Sequence, residues 1–170
     1  LKDVLNSASN IAAQGRARGT EMRRDLCFAI TGAPGTGKNV TAEALTAALA
    51  AAGIIKKAVP TVVKAIDYAK FVEKLADNIK PVGGNVLIID DAQKHSPTTR
   101  ADSLCELEKI LAYCDDWGPD PDKPVVIFLG DDDLLKFFEN NPSARAKIKE
   151  MINLNAPDIP DLVEICAGRL

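Results

Sequence analysis

Hydrophobic and polar positions alternate between two spacings along this chain. Four short, almost uninterrupted apolar runs predict buried strands: Leu26 to Thr31, Ala58 to Val63, Asn85 to Ile89 and Pro124 to Leu129. Runs of four or more apolar residues suit strands covered on both faces, as in a parallel sheet. Between them the spacing is helical. Asn39 to Ala52 is rich in Ala, Leu, Glu and Thr, and Gly53 supplies a stop. Asp67 to Ile79 places Tyr68, Phe71, Val72 and Leu75 on one side, and Pro81 to Gly84 ends it. Thr98 to Tyr113 does the same with Leu104, Leu107, Ile110 and Leu111. Leu134 to Phe138 predicts a helix and Ile152 to Leu154 a short last strand. At the start, Val4, Leu5, Ala8, Ile11 and Ala12 form one helical face, and Pro160 to Leu170 opens a final helix. Strand and helix alternate, which predicts an α/β fold with a parallel sheet and right-handed crossovers. Ligands of such sheets sit at the C-terminal ends of the strands.

That edge carries the candidate chemistry. Gly32-Ala33-Pro34-Gly35-Thr36-Gly37-Lys38-Asn39 follows the first strand and opens the first crossover helix. It fits the phosphate-binding pattern G-x-x-x-x-G-K-[ST] everywhere but at its last position. Glycines let backbone N–H groups turn inward around phosphate oxygens, and Lys38 reaches the β- and γ-phosphates. Val40 continues the helix beside that cradle. Asn39 stands where a hydroxyl normally meets Mg²⁺. The third run ends in Asp90-Asp91. Asp90 is placed to hold Mg²⁺ through water, and Asp91 to face the γ-phosphate. The fourth run leads into Asp131-Asp132-Asp133, where one acid caps the next helix and Asp131 ends beside the nucleotide.

Composition narrows the class. The chain has 170 residues, 46% hydrophobic, enough for one core. A net charge of -3 argues against a nucleic-acid or membrane surface, and no apolar run is long enough to span a bilayer. Cys27, Cys105, Cys114 and Cys166 have no metal-ligand spacing, and His95 is the sole histidine, which fits buried thiols in a reducing cytoplasm. Between Gln14 and Arg24 lies a basic joint with Arg16, Arg18, Arg23 and Arg24. It reads either as a solvated linker or as a contact to nucleotide or a neighbouring subunit. Asp115 to Asp122, with Trp117, is loop by composition. The chain opens on Leu1 and ends within a helical pattern, so a fragment of a longer protein is expected.

Taken together, three blocks resemble an AAA+ ATPase core, and within it the CbbX-like group with its sporulation stage V protein K relatives. They are Gly32 to Lys38, Gly83 to Ala92, and Phe137 to Ile148, with Asn141-Pro142-Ser143-Ala144-Arg145 at the centre of the third. The third block is the specific one, because many P-loop proteins share the first two. The resemblance implies a three-layer αβα P-loop NTPase with sheet order 5-1-4-3-2, spanning residues 1–156, with 1–24 as N-terminal helix and linker. Residues 157–170 would begin a lid that is truncated or absent. It further implies ATP or ADP with Mg²⁺, a homo- or hetero-oligomeric ring, and a protein partner. Lys147 aligns with the family's trans-acting arginine, and Arg145 lies two residues earlier. Lysine lacks the planar fork that spreads over a phosphoryl group.

Three positions thus depart from the active pattern: Asn39, Asp91 (shorter by one methylene than the family glutamate) and Lys147. The segment from Asp67 to Lys74 also runs straight into a helix where the family has a substrate-gripping loop; Tyr68 and Phe71 read as a buried face or as remnants of that grip. The reading is an ATP-binding module with weak or impaired hydrolysis. Its alternatives are a fully active remodelling ATPase and a P-loop small-molecule kinase.

Overall fold

In the computed structural model, residues 26–64, 68–74, 77–78, 80–95, 106–116 and 123–155 are described. The expected N-terminal helix, the basic joint, Trp117 and the lid segment lie outside these residues. Five parallel strands form one sheet: β1 (Cys27–Gly32), β2 (Thr61–Val63), β3 (Val86–Ile89), β4 (Val125–Gly130) and β5 (Glu150–Leu154). Their order is β2-β3-β4-β1-β5, the order expected. The three central strands are buried at every position, as their unbroken apolar runs require. Register is tight there: Phe28 pairs with Ile127, and Ile88 with Ile127 from the other side.

Helices cover both faces. On one face α1 (Lys38–Ala51) seals the sheet through Ala42, Leu45 and Leu49, which pack with Phe28, Ile30, Ile88 and Ile127. On the other, alternate strand residues Ala29, Leu87, Ile89 and Phe128 meet Leu107, Ile110 and Leu111 of α3 (Glu106–Asp116) and Leu134, Phe137 and Phe138 of α4 (Asp132–Asn140). Phe138 sits edge-on to both Phe128 and Phe137, at centroid distances of 6.2 and 5.3 Å, a geometry that aromatic quadrupoles favour. The short α2 (Tyr68–Glu73) adds Phe71 to this cluster, so Phe71 belongs to the packed face. The last helix among the described residues, α5 (Pro142–Lys147), starts with Pro at its first position, where no N–H is needed.

Several boundaries differ from expectation. β2 is only Thr61–Val63, without Ala58 to Pro60. Asp115 and Asp116, expected in a loop, complete α3; buried Leu107, Ile110 and Leu111 hold the helix where composition alone signals a break. β5 begins two residues early, at Glu150.

Candidate nucleotide-binding site

β1 delivers the chain into the loop at residues 33–37, and α1 leaves from it. Gly35 and Gly37 have φ of 85° and 86°, a left-handed backbone that side-chain-bearing residues rarely adopt. At Gly32 an added Cβ would lie 2.6 Å from the Leu154 carbonyl oxygen and 2.8 Å from Thr36 Oγ1, so strand β5 closes tightly on the loop's start. Gly37 caps α1 without any side-chain hydrogen bond. The first-turn N–H groups therefore face outward at the positive end of a 14-residue helix, a ready anion site. Lys38 Nζ donates back across the loop to the carbonyls of Gly32 (2.7 Å) and Ala33 (3.0 Å). Thr36 Oγ1 donates to the Ala33 carbonyl at 2.9 Å and braces the turn.

A cavity of about 420 Å³ opens over this loop. Pro34, Gly35, Gly37, Lys38, Asn39 and Val40 line it from the loop and α1; Asp90, Asp91 and Gln93 line it from beyond β3; Asp131 lines it from beyond β4. The structure thus gathers most of the expected residues at one sheet edge. Gly32, Ala33 and Thr36 shape the loop from behind, and do not line the cavity. Arg145 and Lys147 also lie outside its lining, on α5, where Arg145 Nη1 donates to the Ile148 carbonyl at 3.0 Å. Gln93 was not anticipated.

The acids differ in their engagement. Asp90 Oδ1 accepts the N–H of Asp91 at 3.0 Å. Asp91 has φ of 56°, the one left-handed residue other than glycine among those described. Its Oδ2 accepts from Lys94 Nζ at 2.6 Å. The hydrogen bond and charge of Asp91, with Asp90 and Asp131 behind it, hold the Lys94 ammonium above its ordinary pKa of 10.5. That partner is therefore fully charged at neutral pH and is lost only as pH rises through the raised value. Asp131 is the N-cap of α4, with Oδ1 accepting the Asp133 N–H at 3.0 Å, as one of the three consecutive acids was expected to do.

The phosphate chain of a nucleoside triphosphate fits this edge. An uncapped helix start, left-handed glycines and an ammonium spanning the loop are all in place. Among the described residues no group of three His, Cys, Asp or Glu side chains could hold a metal unaided. Mg²⁺ commonly takes one or two carboxylates and completes its shell with water and phosphate oxygens. Asp90 and the amide oxygen of Asn39 fit that partial donor set.

The pattern of the ATPase family associated with various cellular activities (AAA) matches residues 28–131, from the first strand to the acid after β4. The chain belongs to the AAA family. It is 31% identical to protein CfxQ of Xanthobacter flavus over 97% of its own length and 56% of that protein's, a CbbX-like relative. Its fold is similar to Aeropyrum pernix ORC2 in the ADP form (TM-score 0.65, 15% identity, 98% of this chain and 51% of that one). It is also similar to Caenorhabditis elegans PCH-2 (TM-score 0.55, 15% identity, 92% and 42%). The chain thus spans about half the length of the relatives it matches. No described helix of this AAA domain is long and apolar enough to cross a membrane.

Proposed function

We propose that this AAA domain binds ATP with Mg²⁺, hydrolyses it slowly, and acts in a ring assembly on a protein partner in the cytoplasm. The observation that carries this reading is an asymmetry across one cavity. The β-phosphate side is complete: Gly35, Gly37 and Lys38 stand in cradle geometry. The γ-phosphate side is altered: Asn39 replaces the hydroxyl, and Asp91 is tied to Lys94. Binding needs the first side, and turnover needs the second.

In this reading the loop N–H groups and Lys38 hold the β- and γ-phosphates, while Val40 flanks the nucleotide. Asp90 and Asn39 hold Mg²⁺. When bound, the ion neutralises charge on the β- and γ-oxygens. Asp91 is the candidate base, and its Oδ2 accepts a hydrogen bond from Lys94. Arg145 or Lys147 would meet the nucleotide of a neighbouring subunit, and Arg145 must first leave the Ile148 carbonyl. Family membership leaves the small-molecule kinase reading without support.

Calorimetric titration of ATP and ADP, with and without Mg²⁺, paired with phosphate release on the same sample, tests the proposal. Tight Mg²⁺-dependent binding with slow release is expected. Absence of ATP binding would overturn it, and fast release by the chain alone would replace slow turnover with full activity.

A further inference from the structure

The oxygen donors that line the nucleotide cavity are not equally engaged. Asp90 is half-buried, and its Oδ1 accepts the Asp91 N–H at 3.0 Å. Asp91 Oδ2 accepts from Lys94 Nζ at 2.6 Å, and Asp131 Oδ1 accepts from the Asp133 N–H at 3.0 Å. Each carboxylate thus has one oxygen engaged by a neighbour in sequence. Asn39 differs. It is the second residue of α1, it is exposed, and it lines the cavity next to Lys38. The phosphate-binding pattern has a hydroxyl at this position. A hydroxyl sits on Cβ, so one staggered torsion fixes its oxygen beside the helix. The amide oxygen of Asn39 is a bond farther out, and its terminal torsion is broad. The amide donor therefore sweeps an arc where a hydroxyl would hold a point. Mg²⁺ requires near-ideal octahedral geometry at about 2.0–2.1 Å, which a fixed donor suits. Ca²⁺ accepts irregular shells at about 2.3–2.6 Å and takes side-chain amide oxygens readily.

From these observations we propose that Asn39 relaxes the ion selectivity of this site, so that Ca²⁺ supports nucleotide binding as well as Mg²⁺ does. The inference rests on the nucleotide-binding reading above. Asp90 supplies the charged donor for either ion, and Asn39 supplies a neutral donor that adjusts to the ion's radius. Water and phosphate oxygens complete the shell. Binding is then ion-dependent without being specific to Mg²⁺.

The test is calorimetric titration of ADP, which keeps turnover out of the measurement. It is run in Mg²⁺, in Ca²⁺ and in chelator, with each ion in excess over the nucleotide. Wild type is compared with Asn39→Thr and Asn39→Ser, each checked by a melting curve; agreement between the two separates the hydroxyl from the methyl of threonine. In wild type the Kd with Ca²⁺ should lie within about threefold of the Kd with Mg²⁺, whereas both hydroxyl variants should favour Mg²⁺ by about tenfold or more. A wild-type preference for Mg²⁺ beyond about threefold would overturn the proposal. So would a ratio of the two Kd values that is the same in wild type and in the folded hydroxyl variants. Equal wild-type binding in chelator would also sink it, since no ion would then be held, while leaving the nucleotide site intact. Failure of the wild-type chain to bind ADP under every condition would remove the nucleotide-binding reading itself.

Discussion

Lys38→Ala isolates the contribution of one ammonium to nucleotide affinity. In the structure Lys38 Nζ already holds two loop carbonyls, Gly32 at 2.7 Å and Ala33 at 3.0 Å. An ammonium has three donors, so one remains for a phosphate oxygen without dismantling the loop. A net charge-assisted bond is worth about 1.5–3 kcal/mol, which corresponds to roughly 10- to 150-fold in Kd. The Coulomb energy of an ammonium and one phosphate charge, about 4 kcal/mol at 4 Å and an effective dielectric of 20, sets the ceiling near 700-fold. ATP should lose more affinity than ADP, because the γ-phosphate adds charge within reach. The fold should survive, since Ala33 is exposed and water can replace the ammonium there. Isothermal titration with both nucleotides, alongside a melting curve, reads all of this. ATP affinity within threefold of wild type, with an intact fold, would refute the assignment of the loop as the phosphate site.

Other expectations are more local. Asn39→Thr combined with Asp91→Glu restores the usual γ-side chemistry and should raise phosphate release; no gain in a single-turnover assay would place the limit elsewhere, in the lid or a neighbouring subunit. Gly130→Ala puts a methyl 2.6 Å from both Cβ and Cδ2 of Leu134. Leu134 is fully buried, so overpacking should cost about 1–3 kcal/mol in denaturant unfolding. Asp131→Ala deletes the cap of α4 and should cost about 1 kcal/mol, lowering the melting temperature by about 2–4 °C, whereas Asp131→Asn keeps an acceptor and should lose less.

The central strands were legible because uninterrupted apolar runs have few other places to go. Val86 to Ile89 and Val125 to Leu129 are buried on both faces, and the sheet order followed from the family resemblance. The sharp turn between β1 and α1 was legible because glycine spacing encodes backbone geometry directly, and Gly35 and Gly37 adopt a left-handed φ there. α3 ran past its expected end because three buried apolar residues outweigh two terminal acids. Gln93 was not legible. A glutamine shortly after two acids carries no periodic or motif signal, and its place beside the cavity depends on Gly130, 37 positions later, whose missing side chain makes room for it. The Lys94–Asp91 pair was hidden for a related reason: a spacing of three residues matters only once the segment is known to be a helical turn.

These particulars bear on why a chain would keep one half of a site and alter the other. The proposed β-phosphate cradle is made of backbone, and its side-chain requirement is one lysine plus glycines. Asp91 comes from beyond β3 and takes no part in the Lys38 contacts that span the loop, so a substitution there leaves them in place, whereas Asn39 follows Lys38 directly in the first turn of α1. Interactions made equally with bound nucleotide and transition state lower Kd without speeding the chemical step. A domain built this way can stay loaded and present a nucleotide-dependent surface for as long as release is slow. Under the proposed function, the lifetime of that loaded state depends on the γ-side residues, the Asp91–Lys94 pair among them. Lys94→Met probes that tuning from the opposite side: it frees Asp91 Oδ2, so phosphate release should rise while ATP Kd stays within about threefold. A rate unchanged in Lys94→Met would mean that the Asp91–Lys94 pair has no part in setting the lifetime.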